Sequence, residues 1–308
     1  MKNTFPYSND NKRYHTLSFY NKSVYGKKVY KAALDAGFTC PNIDGKCGVG
    51  GCSFCFGGGS SFTGSGDIKA QLLSERNRIF KKFGAIPLIA YFQNNTNTYA
   101  PVSVLREKFE PVLEFPEVVG ISIGTRPDCL EDEKIEYLFT LAQKTNLTVE
   151  LGLQTFSDKT AEKFNRGYKT EVFLKTFAKL KDAKIRTCVH LINGLYDETE
   201  ADMINNAKLL GSLCPGGVKI HLLHIIAGSK IEKESEQKII NPMTFDSYIR
   251  TVCSQLRVLP PECVIERITG DGDKTRLIAP LWSRDKIKVL GSIDKFMEEN
   301  GCFQGDLL

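Results

Sequence analysis

The stretch Val29-Tyr-Lys-Ala-Ala-Leu34-Asp-Ala-Gly-Phe-Thr-Cys40-Pro-Asn-Ile-Asp-Gly-Lys-Cys47-Gly-Val-Gly-Gly-Cys52-Ser-Phe-Cys55 passes from a short apolar run into a loop with four cysteines in sixteen residues. Val29–Leu34 reads as a strand. Thiols gathered so closely in a chain that needs no covalent staples point to a metal site. Two donor sets fit. Four thiolates close a tetrahedral zinc site. Three thiolates hold three irons of a [4Fe–4S] cluster and leave the fourth iron open. Only Cys52 and Cys55 have the two-residue gap of a zinc knuckle. Gly48, Gly50 and Gly51 let backbone pass close to a bulky group, and Phe54 can shield it from water. Cys47 is a fourth ligand in one reading and a loop thiol in the other.

Working outward, further strand patterns fall at Leu88–Phe92, Val118–Ile123, Thr148–Leu153, Ile185–Ile192 and Val218–Ile225. Amphipathic helical stretches separate them: Asp67–Phe83, Val102–Leu113, Glu131–Thr145, Asp158–Phe164 joined to Glu171–Asp182, and Glu198–Leu213. Crossovers of this length predict parallel strands. Right-handed connections wrap six such units into a partial barrel, two units short of closure. The predicted class is α/β, a partial (β/α)6 TIM-type barrel. Residues 1–28 form an N-terminal basic extension, 29–230 the barrel, and 231–308 a small C-terminal α+β extension with helices at Thr244–Val258 and around Ser292–Asn300. The cysteine loop follows the first strand, at the end where such barrels do chemistry.

The chain has 308 residues, 42% apolar and 25% charged, which is globular composition. No apolar run reaches the ~18 residues of a membrane span, and Met1 to Asp10 lacks a signal core, so a cytoplasmic protein is expected. Of the ten cysteines, the six outside the cluster are scattered. The formal charge is +5, and residues 1–31 alone carry seven Lys/Arg against Asp10. Tyr7, Tyr14, Phe19, Tyr20, Tyr25 and Tyr30 are interleaved with them. Basic plus aromatic suits phosphates and stacked bases; the plain alternative is a cover for the barrel.

Cys40, Cys52 and Cys55, spaced C-x11-C-x2-C with an aromatic before the last, resemble the radical S-adenosylmethionine (SAM) superfamily, in the long-spacing subgroup of the elongator catalytic subunit. The resemblance to the bacterial YhcC/YtqA-type members extends over most of the chain. It includes Leu34-Asp-Ala-Gly-Phe-Thr-Cys40-Pro-Asn42, Tyr91-Phe-Gln93, Gly124-Thr-Arg-Pro-Asp-Cys129, Glu150-Leu-Gly-Leu-Gln-Thr155, Asn165-Arg-Gly167, Lys219-Ile-His-Leu-Leu-His224 and Ala279-Pro-Leu-Trp282. It implies a [4Fe–4S] cluster on Cys40, Cys52 and Cys55, and SAM chelating the open iron. One electron from a donor such as flavodoxin or ferredoxin then cleaves SAM to a 5′-deoxyadenosyl radical, which takes a hydrogen atom from the substrate.

The same resemblance places SAM contacts at Gln93, at Gln154 (ribose), at Arg166 (carboxylate, by its two-pronged geometry) and, less directly, at His190 and Asn193. Each has a structural alternative: Arg166 as an arginine in a helix-breaking turn, Asn193-Gly194 as a turn. Lys219 and His221 share one face of a strand, with Glu150 a partner for Lys219. They serve either catalysis or a buried pair. Arg126 and Asp128 contact ligand or each other. Cys129 is a hydrogen-atom donor or a packing residue. The elongator relative modifies the tRNA wobble uridine, and the YtqA-type members are associated with converting 5-carboxymethylaminomethyluridine to 5-aminomethyluridine. A small metabolite or peptide is the second substrate class, and a zinc-dependent nucleic-acid binding module without catalysis the alternative of another kind.

Overall fold

The computed structural model describes residues 3–55, 66–270 and 274–308. Seven parallel strands form one curled sheet in the order β1-β2-β3-β4-β5-β6-β8. They are β1 (Tyr30–Leu34), β2 (Leu88–Phe92), β3 (Val118–Thr125), β4 (Asn146–Gln154), β5 (Arg186–Asn193), β6 (Gly217–Leu222) and β8 (Val264–Ile268). A short antiparallel pair, β7 (Ile225–Ile226) and β9 (Leu277–Ala279), stands beside it. The helices are α1 (Leu17–Tyr25), α2 (Ile68–Phe83), α3 (Val102–Phe109), α4 (Asp132–Ala142), α5 (Asp158–Lys163), α6 (Thr170–Asp182), α7 (Glu200–Ser212), α8 (Lys230–Glu236), α9 (Phe245–Arg257) and α10 (Lys286–Glu299). The partial TIM-type half-barrel is therefore present. It carries a seventh strand, β8, supplied by the C-terminal segment and paired in parallel with β6.

Helix starts follow from capping side chains. Thr16, Asp67, Thr244 and Asp285 each accept a first-turn N–H, and Thr199 with Asp202 forms a reciprocal capping box on α7. The outward residues of the central strands, such as Ile121, Ile123, Val149, Leu151, Val189 and Leu191, are buried in the main core under the helices. That apolar layer sits between sheet and helices, which leaves the concave face of the half-barrel for polar groups.

Helix α1 covers the end of the barrel where the strands begin. Thr16 bridges to Ile265 of β8. Gln304, fully buried, locks this floor: its side chain accepts from the His15 N–H at 2.8 Å and donates to the carbonyls of Pro260 and Cys263, while its own N–H reaches Arg13 O at 2.9 Å.

This placement makes the N-terminal segment a cover for the barrel, the plain alternative above, rather than a basic surface over the end that carries the cysteine loop. The segment closes the opposite end, and much of its charge is spent internally. Lys31 pairs with Glu150 and Glu266, Lys12 pairs with Asp294, and Arg13 is buried. Lys28 lies over the rings of Tyr30 and Phe83. Tyr14 is buried and Tyr7 stacks on His15. Lys2 falls outside the described residues. No helix is long and apolar enough to cross a membrane among the described residues.

Candidate active site

The cysteine loop leaves β1 at the strand's C-terminal end and is tied down from several sides. Asn42 is the inner strut: its Nδ2 donates to Asn165 O at 2.5 Å and to the Cys52 thiol at 3.6 Å. Asn165 Nδ2 in turn holds Gly51 O at 2.9 Å, and Gly51 N–H bonds Asn42 O. Ser53 is fully buried; its N–H bonds Phe164 O and its carbonyl takes the Ile231 N–H of α8. Phe54 packs on Phe164, ring centroids 5.3 Å apart.

Cys40, Cys52 and Cys55 are free thiols, and Cys55 hydrogen-bonds Cys52. The hydrogen bond from Cys55, then the charge of Arg126 and the Asn42 amide, outweigh burial and hold the Cys52 thiol below its ordinary value. Cys55, as the donor to Cys52, is pushed well above. Cys47 instead stands beside Asp128: burial and then that carboxylate keep it protonated. Among the described residues no three ligating groups are already gathered around a point, as a single metal ion requires. Three soft thiols on one rigid loop, with cationic Arg126 behind them, fit an iron–sulfur cluster.

The concave face carries one buried network centred on Glu150, which is fully buried. Each inward strand sends it a donor. Lys31 of β1 bonds it at 2.8 Å, Tyr91 of β2 at 2.9 Å, Ser122 of β3 at 2.7 Å and His190 of β5 at 2.9 Å, and Lys219 of β6 completes the set. Lys31 also bonds Glu266 of β8 at 3.0 Å, which Arg186 holds at 2.7 Å. Burial would raise the Glu150 carboxyl, but the Lys219 and Lys31 ammonium groups outweigh it and hold it well below the usual carboxylate range. The pairing anticipated for Lys219 and Glu150 is present.

Above this network His221 lies 5.1 Å from His190, ring to ring. Two buried polar atoms there have no protein partner, His221 Nε2 and Gln154 Oε1. Gln154 ends β4 with φ 66°, a strained left-handed conformation for a residue with a side chain, and such strain clusters at functional sites. Gly152 makes room for it: a Cβ there would lie 2.5 Å from Gln154 Nε2. Gln93 is half-buried just past β2. Gln93 and Gln154 stand at the C-terminal ends of β2 and β4, the strand ends from which the cysteine loop also departs, and the orphaned Gln154 amide oxygen and His221 imidazole fit a polar ligand.

Three expected site residues are placed elsewhere. Arg166 is buried and spends all five N–H groups on the protein: Tyr168 O, Leu153 O, Thr155 O, the Asp158 carboxylate and Thr170 Oγ1. It has no donor left for a SAM carboxylate; it pins the turn between β4 and α5 behind the cysteine loop. Asn193 points away from the barrel interior and exchanges paired 2.8 Å hydrogen bonds with Gln255 of α9. Cys129 is buried beneath Asp128, and burial pushes its thiol up to about 12. Arg126 and Asp128 form a two-pronged pair with each other, at 2.8–2.9 Å. The Asn94–Thr98 turn is likewise held by its own bonds. The residue missed in the sequence is Asn42; its position directly after Cys40-Pro41 was the available signal.

Arg166→Ala is accordingly expected to destabilise the fold rather than merely weaken SAM binding. It strands the buried carbonyls of Leu153 and Thr155, at about 1–3 kcal/mol each. The urea midpoint of the purified protein checks this; an unchanged midpoint with weakened SAM binding would return Arg166 to the ligand.

All four histidines are held below their ordinary value, burial being the first cause in each case, with His224 at about 4. A histidine kept neutral in the folded state binds protons more readily when unfolded. Its contribution is therefore present above the unfolded value of about 6.5 and is lost as pH falls below it. Folding stability should begin to drop near pH 6.5 and keep falling to about 4, where His224 titrates. His224→Gln should flatten that slope in urea titrations taken at successive pH values.

The chain belongs to the radical SAM superfamily. The model described as "Radical SAM superfamily" matches residues 44–210, and that of the radical SAM C-terminal domain matches residues 215–299. It is similar to YtqA of Bacillus subtilis (strain 168), 47% identical over 308 residues, covering 99% of this chain and 96% of that one. YhcC of Escherichia coli (strain K12) is 34% identical over 289 residues and 92% of both chains. A tRNA uridine(34) acetyltransferase of Methanocaldococcus jannaschii is 25% identical over 190 residues, 59% of this chain and 33% of that protein. The structure of Methanocaldococcus infernus Elp3 shares the fold, with TM-score 0.69 and 17% identity over 90% of this chain and 64% of that one. Members of the family use a [4Fe–4S] cluster and SAM, so the zinc-module alternative falls away.

Proposed function

We propose that this radical SAM enzyme acts on the wobble uridine of tRNA, converting 5-carboxymethylaminomethyluridine to 5-aminomethyluridine. The observation that carries the reading is the similarity to a protein named for uridine 34 of tRNA. The matched 190 residues make up a third of that protein's length.

Cys40, Cys52 and Cys55 would hold the cluster, and Gln93, Gln154 and His190 would orient SAM. Together the bound groups supply hydrogen-atom abstraction from an unactivated carbon. Flavodoxin or ferredoxin is the class of electron donor required. The substrate would lose two electrons and two protons across its glycine-like CH2–NH unit to give an imine, with SAM as the oxidant overall: one electron would leave with the abstracted hydrogen atom, and the other would return to the cluster as the second proton departs. Water then adds, the C–N bond breaks, and the amine and glyoxylate remain. The His221 Nε2 atom has no partner among the described residues, and burial keeps its imidazole neutral, so it would meet the substrate through a hydrogen bond.

Comparison of total tRNA nucleosides with and without the gene tests the proposal. The expected result is accumulation of the carboxymethylaminomethyl nucleoside and loss of the aminomethyl product. Unchanged nucleosides would overturn it and favour a small metabolite or peptide.

The floor position of α1 adds a second expectation. Neutralising the exposed Lys22, Lys27 and Lys28 should leave tRNA affinity within about twofold and its salt dependence nearly unchanged, because these charges lie at the far end of the barrel. A steep loss measured in a salt-series binding titration would restore the N-terminal segment as an RNA contact.

A further inference from the structure

Beneath α1, at the end of the barrel opposite the cysteine loop, lies a cavity of about 220 Å³. Nothing in the proposed reaction uses it. For scale, a buried cavity of about 150 Å³ takes a benzene ring. Its walls are polar where a barrel floor is ordinarily closed by apolar side chains.

Three of its four charged wall residues are cations: Lys31, Lys184 and Arg186, against Glu266. Lys31 is committed to Glu150 and Glu266. Arg186 gives Nη1 to Thr148 and Glu266 and one Nη2 hydrogen to Gly216 O, which leaves Nε and the second Nη2 hydrogen without an acceptor among the described residues. Lys184 enters β5 with an exposed side chain that forms no ion pair among the described residues. The wall therefore offers positive charge and N–H donors in excess of its own acceptors. Asn21 asks for the converse. It is 6% exposed, lines the cavity, and its Oδ1 has no hydrogen-bond partner. A buried acceptor left open calls for a donor from outside the protein. The rings of Tyr20 and Tyr25 and the side chains of Leu17 and Ile89 supply flat and apolar surface between these two poles. The Arg186 guanidinium lies over the Tyr20 ring, 4.6 Å from its centroid.

We propose that this cavity binds a small organic carboxylate that also carries a hydroxyl or amino group, the carboxylate toward Arg186 and Lys184 and the donor toward Asn21. The site is separate from the proposed SAM site, and it touches the polar network of the concave face through Lys31, which bonds Glu150 from the cavity wall.

The test is calorimetric titration of the full-length, cluster-loaded protein with 4-hydroxybenzoate, benzoate and 4-hydroxybenzamide. The expected result is that 4-hydroxybenzoate binds about tenfold more tightly than the uncharged amide and several-fold more tightly than benzoate. Lys184→Gln should weaken it and reduce its salt dependence. Asn21→Leu should abolish the preference over benzoate. Should Asn21→Leu fail to fold, Lys184→Gln still decides, since that side chain is exposed and supports no packing. Equal binding of acid and amide, full affinity in both variants, or no heat with any probe and only water in the cavity of a crystal grown with 4-hydroxybenzoate would each overturn the proposal. None of these outcomes bears on the tRNA reading, because the cluster and the proposed SAM site are untouched.

Discussion

Cys52→Ala is expected to abolish cluster assembly and SAM cleavage together, while Cys47→Ala retains both. The two cysteines are five residues apart on one loop, so a general weakening of that loop would affect both variants alike. Their surroundings differ. Cys52 is held by Asn42 and faces Cys55, in the field of Arg126; Cys47 faces Asp128. A thiolate beside a carboxylate is disfavoured, whereas the Cys55 thiol is raised first by its own hydrogen bond to Cys52, a bond that joint ligation of a metal would replace. Iron and sulfide content after anaerobic reconstitution, with deoxyadenosine release under reductant, gives the answer. Loss of the cluster in Cys47→Ala would mean that the ligand set is wrong. Asn42→Ala should fall between the two, loading iron poorly because the strut between the loop and Asn165 is gone.

The second large effect belongs to Glu150. Glu150→Gln keeps the size of the side chain and can still meet Ser122 and Tyr91. It removes the carboxylate that neutralises Lys219, itself 2% exposed. Lys31 retains Glu266, so the stranded charge is principally Lys219. Breaking a buried pair from one side costs about 3–5 kcal/mol, a large fraction of the stability of an ordinary domain. Replacing both partners, Glu150→Gln with Lys219→Met, should recover much of that loss, since an apolar substitute leaves no uncompensated charge. Denaturant midpoints of the single and double variants measure the coupling. A single variant within about 1 kcal/mol of the parent would show that water or His190 already screens Lys219.

Much of the fold was legible because the β–α alternation is regular. Leu88–Phe92 was located to the residue, and the other five strands of that reading to within a few residues. The seventh strand was not seen. Val264–Ile268 carries Glu266 and Arg267 in its middle and follows Pro260-Pro261, so its sequence looks like a polar loop. Glu266 is tolerated there only because Lys31 and Arg186 arrive from strands far away in the chain. The same limit explains the N-terminal segment: a charge count cannot tell an exposed lysine from one that points into a barrel. Asn193 is different, since period-two alternation already sets it on the face opposite His190, three residues earlier. Arg166 illustrates a third kind of difficulty. Its spacing from Gln154 suits a ligand-binding arginine, but the carbonyls at the end of β4 take two of its five N–H groups, and Tyr168 O, Asp158 and Thr170 take the other three.

The Gln304 lock has a consequence for the order in which the molecule is completed during synthesis. His15 and the side chain that secures it are 289 residues apart in sequence. At ribosomal speeds of about 5–20 residues per second, roughly 15–60 s separate the emergence of the two. For that interval Tyr14, His15 and α1 have neither β8 nor Gln304 to pack on, and the growing sheet has no floor. A segment made early is thus among the last to be fixed in place. A nascent chain halted before residue 264 would present a half-barrel open at both ends, with Lys31 and Arg186 still lacking the carboxylate of Glu266.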